Sequence, residues 1–114
     1  MALTVRFGAD EYDLATTWAA SREFDDKIGD PLQMAMRLNT DPHGVFTATT
    51  AVRAIWIGIK HAGGKLTESE VGELCHANGI INYLQVANGL LISLVSGGPE
   101  DSGEDADEGE PKKK

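Results

Sequence analysis

The sequence lacks the features of a secreted scaffold or of a nucleic-acid-binding module. Its only cysteine is Cys75, so an internal disulfide is excluded and a reducing compartment fits best. The chain has 10 lysines and arginines against 18 acidic residues, with no basic stripe that could neutralise a phosphate backbone. No charged-then-apolar signal segment opens it. We therefore expect a cytoplasmic protein that does not bind nucleic acid.

Patterns that carry catalytic or ligand chemistry are also absent from the sequence. The residues of the types that bind transition metals are His43, His61, Cys75 and His76. No C-x-x-C, H-x-x-x-H or H-E-x-x-H spacing connects them. Gly63–Lys65 resembles the end of a phosphate loop, but Ile59 and Leu66 stand where a glycine and a serine or threonine are required. Adjacent helical side chains point about 100° apart, so Asp25 and Asp26 do not converge as an acid pair. The sequence thus predicts no enzyme, no metal site and no cofactor.

Acidic residues are concentrated near the C-terminus. Seven of the 18 lie between Glu100 and Glu110, and Lys112–Lys114 follow them. A segment this rich in acids, glycine and proline cannot bury enough apolar surface to offset its chain entropy. We therefore divide the chain into a single domain, residues 1–98, and a disordered acidic tail, residues 99–114.

The longest apolar segment is Ile80–Val95, with the sequence IINYLQVANGLLISLV. At helical spacing its polar side chains fall on one narrow stripe, and apolar groups occupy the rest of the circumference. It is shorter than the roughly 20 apolar residues that cross a bilayer. We expect the central helix of a soluble domain, covered either by the rest of the chain or by another protein, and no membrane association.

The N-terminal third predicts a small hairpin. Leu3, Val5 and Phe7 alternate with polar residues, which is the period of a half-buried strand. A turn at Gly8–Glu11 leads to a second short strand at Tyr12–Leu14. Because two strands are marginal alone, we expect this hairpin to lie against helices.

Two helices are predicted next. Thr16 or Thr17 caps the first, which extends to about Ile28. On it we expect apolar contacts from Trp18, Phe24 and Ile28, and outward-facing acids at Glu23, Asp25 and Asp26. The second is short, with Asp30 as its cap and Pro31 at its first position. Its apolar positions are Leu32, Met36 and Leu38.

The rest of the domain is predicted to be helical. A long helix extends from Val45 or Thr47 to His61, although its β-branched start leaves a strand as an alternative there. Thr67 and Glu70 have the spacing of a capping box, which opens a helix that ends at Gly79. The fold class is therefore mainly α with a small N-terminal β-hairpin (α+β) and four to five short helices.

Two stretches carry a resemblance to a known family. The hairpin has the pattern L-T-V-R-F-G-x-x-x-Y-x-L, and Ala51–Leu74 contains A-I-W-I-G-I-K-H-A-G-G-K-L-T-E-S-E-V-G-E-L. Together with the order of the predicted elements over residues 3–96, these resemble the small tail-assembly proteins of long-tailed phages, with the closest likeness to the gene transfer agent-type family.

The resemblance implies a tail assembly chaperone in the bacterial host cytoplasm. Similar proteins bind the long, apolar, helical tape measure protein before tube subunits polymerise around it, and some are described as tail tube components. The implied partners are therefore the tape measure protein and the tail tube protein. The wide apolar face also favours self-association into a homo-oligomer. The large side chains that we expect to contact a partner are Trp56, Ile59, Tyr83, Leu84, Leu90, Leu91 and Leu94.

Two other functions remain open from the sequence. The first is a structural subunit of the tail tube or of its completion ring, which we would expect to carry longer strands than one short hairpin. The second is an acidic regulatory protein that occupies a host DNA-binding protein through the tail, residues 99–114.

Overall fold

The computed structural model describes residues 3–97, together with the backbone of residues 109–110 and 112–113. Those last four residues form two short strands, Gly109–Glu110 and Lys112–Lys113, that pair only with each other. The predicted disordered tail otherwise lies outside the described residues, so its disorder stays a prediction.

The predicted N-terminal hairpin is present. Strands β1 (Leu3–Phe7) and β2 (Asp10–Leu14) pair antiparallel, with Phe7 opposite Asp10. The connection between them has Gly8 at a φ of 64°, a conformation that glycine adopts without steric cost. Val5, Phe7 and Leu14 are buried, so one face of the hairpin packs on the helices.

The remainder of the described domain is helical, which confirms the predicted fold class. Its elements are α1 (Trp18–Lys27), α2 (Pro31–Arg37), α3 (Ala48–His61), α4 (Glu68–Ala77), a 3-10 helix (Ile80–Tyr83) and α5 (Leu84–Ser96). Polar side chains cap four of these helices by accepting hydrogen bonds from the backbone of the first turn, and they are Thr17, Asp30, Thr47 and Thr67.

The β-branched start of the third helix is helical rather than extended. Thr47 and Thr50 form a reciprocal capping box, in which each side chain accepts from the backbone N–H of the other residue. This satisfies two N–H groups that would otherwise lack partners at the helix N-terminus. The capping box predicted at Thr67 and Glu70 is also present.

Helix α3 is the centre of the domain, in place of the segment predicted for that position. It packs against β2, α1, α4 and α5. Ile55 and Ile59 lie on one face of the helix and Ile57 on the opposite one, and all three are buried. By contrast, α5 buries one face through Ala87, Leu90 and Leu91.

The segment Ile80–Val95 is also not a single α-helix. Gly79 has a φ of 89°, which ends α4, and the chain then makes one 3-10 turn before α5 begins at Leu84. No single helix among residues 3–97 is long and apolar enough to cross a bilayer. Only the pair Glu68–Ala77 and Ile80–Ser96, bent by 117°, reaches the required length and composition.

Some of the apolar contacts predicted for two short helices face outward instead. The predicted contacts Phe24, Ile28 and Leu38 do pack against the core. In α1, Ala20 and Phe24 are buried four residues apart, whereas Trp18 is 76% exposed because it lies on the opposite side of the helix. In α2 the buried residues are Pro31, Met34 and Ala35, while Leu32 and Met36 face outward.

The close packing at Gly58 gives a stability prediction. A Cβ at this position of α3 would lie 2.9 Å from Leu14 Cδ2 and 3.3 Å from Leu14 Cβ. We expect Gly58→Ala to lower the free energy of unfolding by about 1–3 kcal/mol through overpacking.

Gly89, in the middle of α5, provides the matched control. A Cβ added to this residue would meet no neighbouring heavy atom within 4 Å. Gly89→Ala should therefore raise the free energy of unfolding by about 0.5–1 kcal/mol through helix propensity. Urea denaturation of both variants measures the difference, and equal effects at the two sites would contradict the packing account.

Candidate interaction surface

The structure places most of the predicted partner-binding residues inside the domain. Ile59, Tyr83, Leu90 and Leu91 are buried, and the Tyr83 hydroxyl donates a hydrogen bond to the Arg6 carbonyl at 3.0 Å. In this fold these four side chains are therefore not available to a partner. The other three, Trp56, Leu84 and Leu94, are half-buried against the core.

Large apolar side chains are instead exposed at other positions of the helices. They are Trp18, Leu32, Met36, Ile81, Ile92 and Val95. Exposed apolar groups that cluster, rather than those scattered singly, mark interaction sites. The question is therefore which of these side chains share one surface.

One cluster surrounds a groove between α1, the start of α2 and the end of α5. The groove has a volume of about 310 Å³. Trp18, Leu32, Leu94 and Val95 supply its apolar lining. We call this surface the α1–α2–α5 groove. Of the seven predicted partner-binding residues, only Leu94 lines it.

The rim of the α1–α2–α5 groove carries both signs of charge. Arg22 and Asp25 lie three residues apart on α1, and Asp30 precedes α2. Asp30 is committed to capping α2, since its Oδ1 accepts from the Leu32 N–H at 3.0 Å. Arg22 and Asp25 take part in none of the ion pairs formed within residues 3–97. These two side chains are thus the charged groups that the groove offers to a partner.

The opposite side of α1 carries a charged cluster centred on Glu23. Its carboxylate accepts from Lys27 Nζ at 2.7 Å and from Lys60 Nζ at 2.8 Å. His61 Nε2 lies 2.6 Å from the other oxygen of the same carboxylate. Only 13% of the Glu23 side chain is exposed. Glu23, predicted to face outward, therefore connects α1 to the C-terminal end of α3.

The environment of Glu23 strongly favours its ionised form. Burial on its own raises the pKa of this carboxyl, but the hydrogen bonds from Lys27, Lys60 and His61 outweigh it and lower the pKa to about 2. Its hydrogen bonds are charge-assisted, which makes them stronger than neutral ones. The cluster therefore joins α1 to α3, and the Glu23 carboxylate is occupied by hydrogen bonds to residues of its own chain.

Trp56 completes this charged cluster. The ammonium groups of Lys27 and Lys60 lie 5.1 Å and 4.9 Å from the centre of its ring. Both distances are within the range of cation–π attraction. Trp56, predicted as a partner contact, thus supports the contact between α1 and α3.

A second charged contact, made by Arg53 of α3, connects this helix to both α1 and α4. Arg53 Nε donates to Glu68 Oε2 at 2.9 Å, and Arg53 Nη1 donates to the Lys27 carbonyl at 3.3 Å. Glu68 also borders a cleft of about 630 Å³ between the starts of α3 and α4. Because Glu68 is paired with Arg53, this cleft does not present a free acid to a ligand.

The candidate nucleophile and metal-ligand types are dispersed. Cys75 is fully buried, and burial raises the pKa of its thiol to about 11, so it carries no thiolate at neutral pH. Within the part of the chain that the structure describes, no three histidine, cysteine or acidic side chains come together as a metal site.

The comparisons with known proteins give one finding. A family model described as phage tail tube protein, GTA-gp10, matches residues 1–97. No curated protein and no solved structure matches the chain. The family match therefore covers the hairpin and every helix described within residues 3–97. It supports the predicted resemblance to a gene transfer agent-type tail family without specifying a chaperone.

The charged cluster predicts an acid-dependent loss of stability. Because the pKa of Glu23 falls from 4.5 to about 2 on folding, its contribution is present above pH 4.5 and is lost as the pH falls toward 2. We expect Glu23→Gln to lower the free energy of unfolding at pH 7 by roughly 2 kcal/mol, allowing for solvent screening at the two lysines. Urea titrations at pH 7 and pH 3 measure this, and the variant should lose less stability between them than the parent.

Asp26→Asn is the matched control for this variant. Asp26 is exposed on the same helix and forms none of the ion pairs within residues 3–97. Its removal should leave the free energy of unfolding within about 0.5 kcal/mol of the parent value. An equal loss in Asp26→Asn and Glu23→Gln would show that net charge, rather than the Glu23 contacts, sets the stability.

Proposed function

Because this chain belongs to the phage tail tube protein family GTA-gp10, we propose that it acts in forming the tail tube of a phage or phage-like particle. The observation that carries this proposal is the family match over residues 1–97, which includes every α-helix and the hairpin. The same match favours a tail function over the acidic regulatory protein that the sequence left open.

The first candidate role is a structural component of the tube or its completion. The description of the family, which names the tail tube, supports it directly. Within residues 3–97, a neighbouring subunit could extend the sheet only at the hairpin, whose strands are five residues long. β2 packs against α3, so the outer edge of β1 is the side left for such pairing.

The outer edge of β1 is already partly used. In a hairpin with a two-residue loop, Phe7 and Asp10 form the hydrogen-bonded pair next to the turn, and this register directs the backbone of Thr4 and Arg6 outward. The Arg6 carbonyl accepts from the Tyr83 hydroxyl. A neighbouring strand would therefore depend chiefly on the Thr4 backbone.

The second candidate role is a tail assembly chaperone that holds the tape measure protein before the tube forms. It is supported by the exposure of large apolar side chains on helices rather than on a sheet, including Met36, Ile81 and Ile92, which lie outside the α1–α2–α5 groove. Helical surfaces of this kind bind amphipathic or apolar helical segments. The formal net charge of −8 would help to keep such a loaded complex soluble.

The composition of purified particles distinguishes the two roles. A structural component should be present at a fixed copy number relative to the tail tube protein, as measured by quantitative mass spectrometry. A chaperone should be missing from particles and should co-purify with the tape measure protein from cells that lack the tube protein. Absence from both preparations would sink the proposed tail function altogether.

A substitution in β1 gives a sharper test of the structural role. Thr4→Pro removes the outward-facing N–H of Thr4, which an added strand would need, while leaving the backbone hydrogen bonds between β1 and β2 in place. It also removes the hydrogen bond from the Thr4 hydroxyl to Glu11, and Thr4→Val removes the same bond. In the structural role we expect at least a tenfold loss of incorporation into particles. Thr4→Val, which keeps the N–H and the β-branched shape, should be incorporated normally.

Thermal unfolding of the purified variants completes the experiment on β1. The prediction applies if Thr4→Pro melts close to the parent protein. Normal particle yield with a folded Thr4→Pro variant would contradict strand pairing through β1 and would favour the chaperone role.

A further inference from the structure

We propose that the α1–α2–α5 groove is a homodimer interface, in which Trp18 of each copy inserts into the groove of the other about a twofold axis. This goes beyond the tail function and does not depend on it. The inference rests on the shape of the surface, on its charges and on the composition of the rest of the chain.

The surface carries a protruding group and a recess side by side. Trp18 is 76% exposed and borders a cavity of about 310 Å³, which is large enough for one aromatic side chain. Leu32 and Val95, also exposed, form the apolar wall that an inserted indole ring would contact. An exposed indole gains free energy by burial in such a site and is a common anchor of protein interfaces.

The position of the protruding group next to the recess favours a closed dimer. When the protruding group and the recess belong to one patch, two copies satisfy each other reciprocally about a twofold axis. A recess on a distant face would instead generate a chain of subunits. The adjacency of Trp18 to the groove therefore selects the twofold arrangement.

The charges on the rim are self-complementary. Arg22 and Asp25 lie on the same side of α1, and both line the groove. If two α1 helices cross antiparallel about the twofold axis, Arg22 of each copy faces Asp25 of the other. Two ion pairs form in this arrangement. Arg22 and Asp25 take part in no other ion pair within residues 3–97, so forming the dimer breaks none.

The C-terminal segment of the chain is a poor occupant for the same groove. Residues 99–114 follow shortly after Val95, but their only apolar side chains are one alanine and two prolines. They also carry seven acids, which the rim carboxylates of Asp25 and Asp30 would repel. The segment carries three lysines as well, but no aromatic side chain; a second copy offers an indole ring together with an Arg22–Asp25 pair that matches the rim.

The experiment measures association of the full chain over a concentration series by sedimentation velocity. Because the patch is small, we expect a weak dimer, with a dissociation constant on the order of tens of micromolar. Trp18→Ala should weaken the dimer at least tenfold. Ile81→Ala is the matched control, since Ile81 is also 76% exposed but lies outside the groove lining, and it should leave the dimer unchanged.

Charge reversal tests whether the occupant is a second copy. Arg22→Asp and Asp25→Arg should each raise the dissociation constant of the dimer severalfold, because each places like charges opposite one another. An equimolar mixture of the two variants should recover it, since both pairs become attractive in the mixed dimer. The same mixing of Arg37→Asp with Asp13→Arg, two exposed sites outside the groove lining, controls for general charge attraction.

Several results would overturn the proposal. A parent protein that stays monomeric throughout the series would show that the groove holds no second copy. Equal losses in Trp18→Ala and Ile81→Ala would place the contact elsewhere. The Arg37→Asp and Asp13→Arg variants should each dimerise like the parent. If they lost the dimer and recovered it on mixing as strongly as the groove variants do, the assigned ion pairs would be ruled out. A monomeric parent whose groove variants fail to bind a different partner would assign the groove to that partner.

Discussion

The burial of α3 on nearly all sides is the constraint on which the rest of the structure depends. Ile55 and Ile57 point to different sides of this helix and are both buried, so every neighbouring element must cover part of its circumference. Gly58 allows β2 to approach closely on one side, where the Ala15 N–H donates to the Gly58 carbonyl at 2.9 Å. The other sides are covered by α1, α4 and α5.

Helix α1 has three sides, and each makes a different kind of contact. Phe24 packs into the core against Phe46, with the rings 6.1 Å apart and nearly perpendicular, while Glu23 binds the end of α3. The remaining side of the helix presents Trp18 and Arg22 to solvent. Because the contacts of Phe24 and Glu23 fix the position of α1, its exposed indole ring and charges have a defined orientation. This reduces the conformational entropy lost on binding.

Local signals in the sequence predicted the elements of the fold well. Threonine and aspartate caps, the capping box at Thr67 and the glycine at Gly79 all act within a few residues, and each is present in the structure. The burial of short helices was harder to predict because α1 and α2 carry apolar residues on two sides. In α2, for example, Leu32 and Met34 are both apolar, and only the packing against α5 decides which is buried.

The candidate site was less predictable, for two physical reasons. The apolar surface of Ile80–Val95 looks the same in sequence whether the chain's own core or a partner covers it, and Leu90 and Leu91 prove to belong to the core. The charged cluster depends on distant residues. Glu23–Lys27 has the visible spacing of a helical ion pair, but His61 lies 38 residues further along the chain, which no local pattern reveals.

The hydrogen bond between Tyr83 and Arg6 has a consequence for folding during synthesis. It joins positions 77 residues apart, and the Phe7 ring packs against Tyr83 with their centres 5.2 Å apart. The hairpin is translated before the helices of residues 3–97, but it cannot complete its packing until Tyr83 has also been translated. Its apolar face, including Val5 and Phe7, therefore stays exposed on the nascent chain during translation. Contacts between residues so far apart in sequence also slow the final folding step.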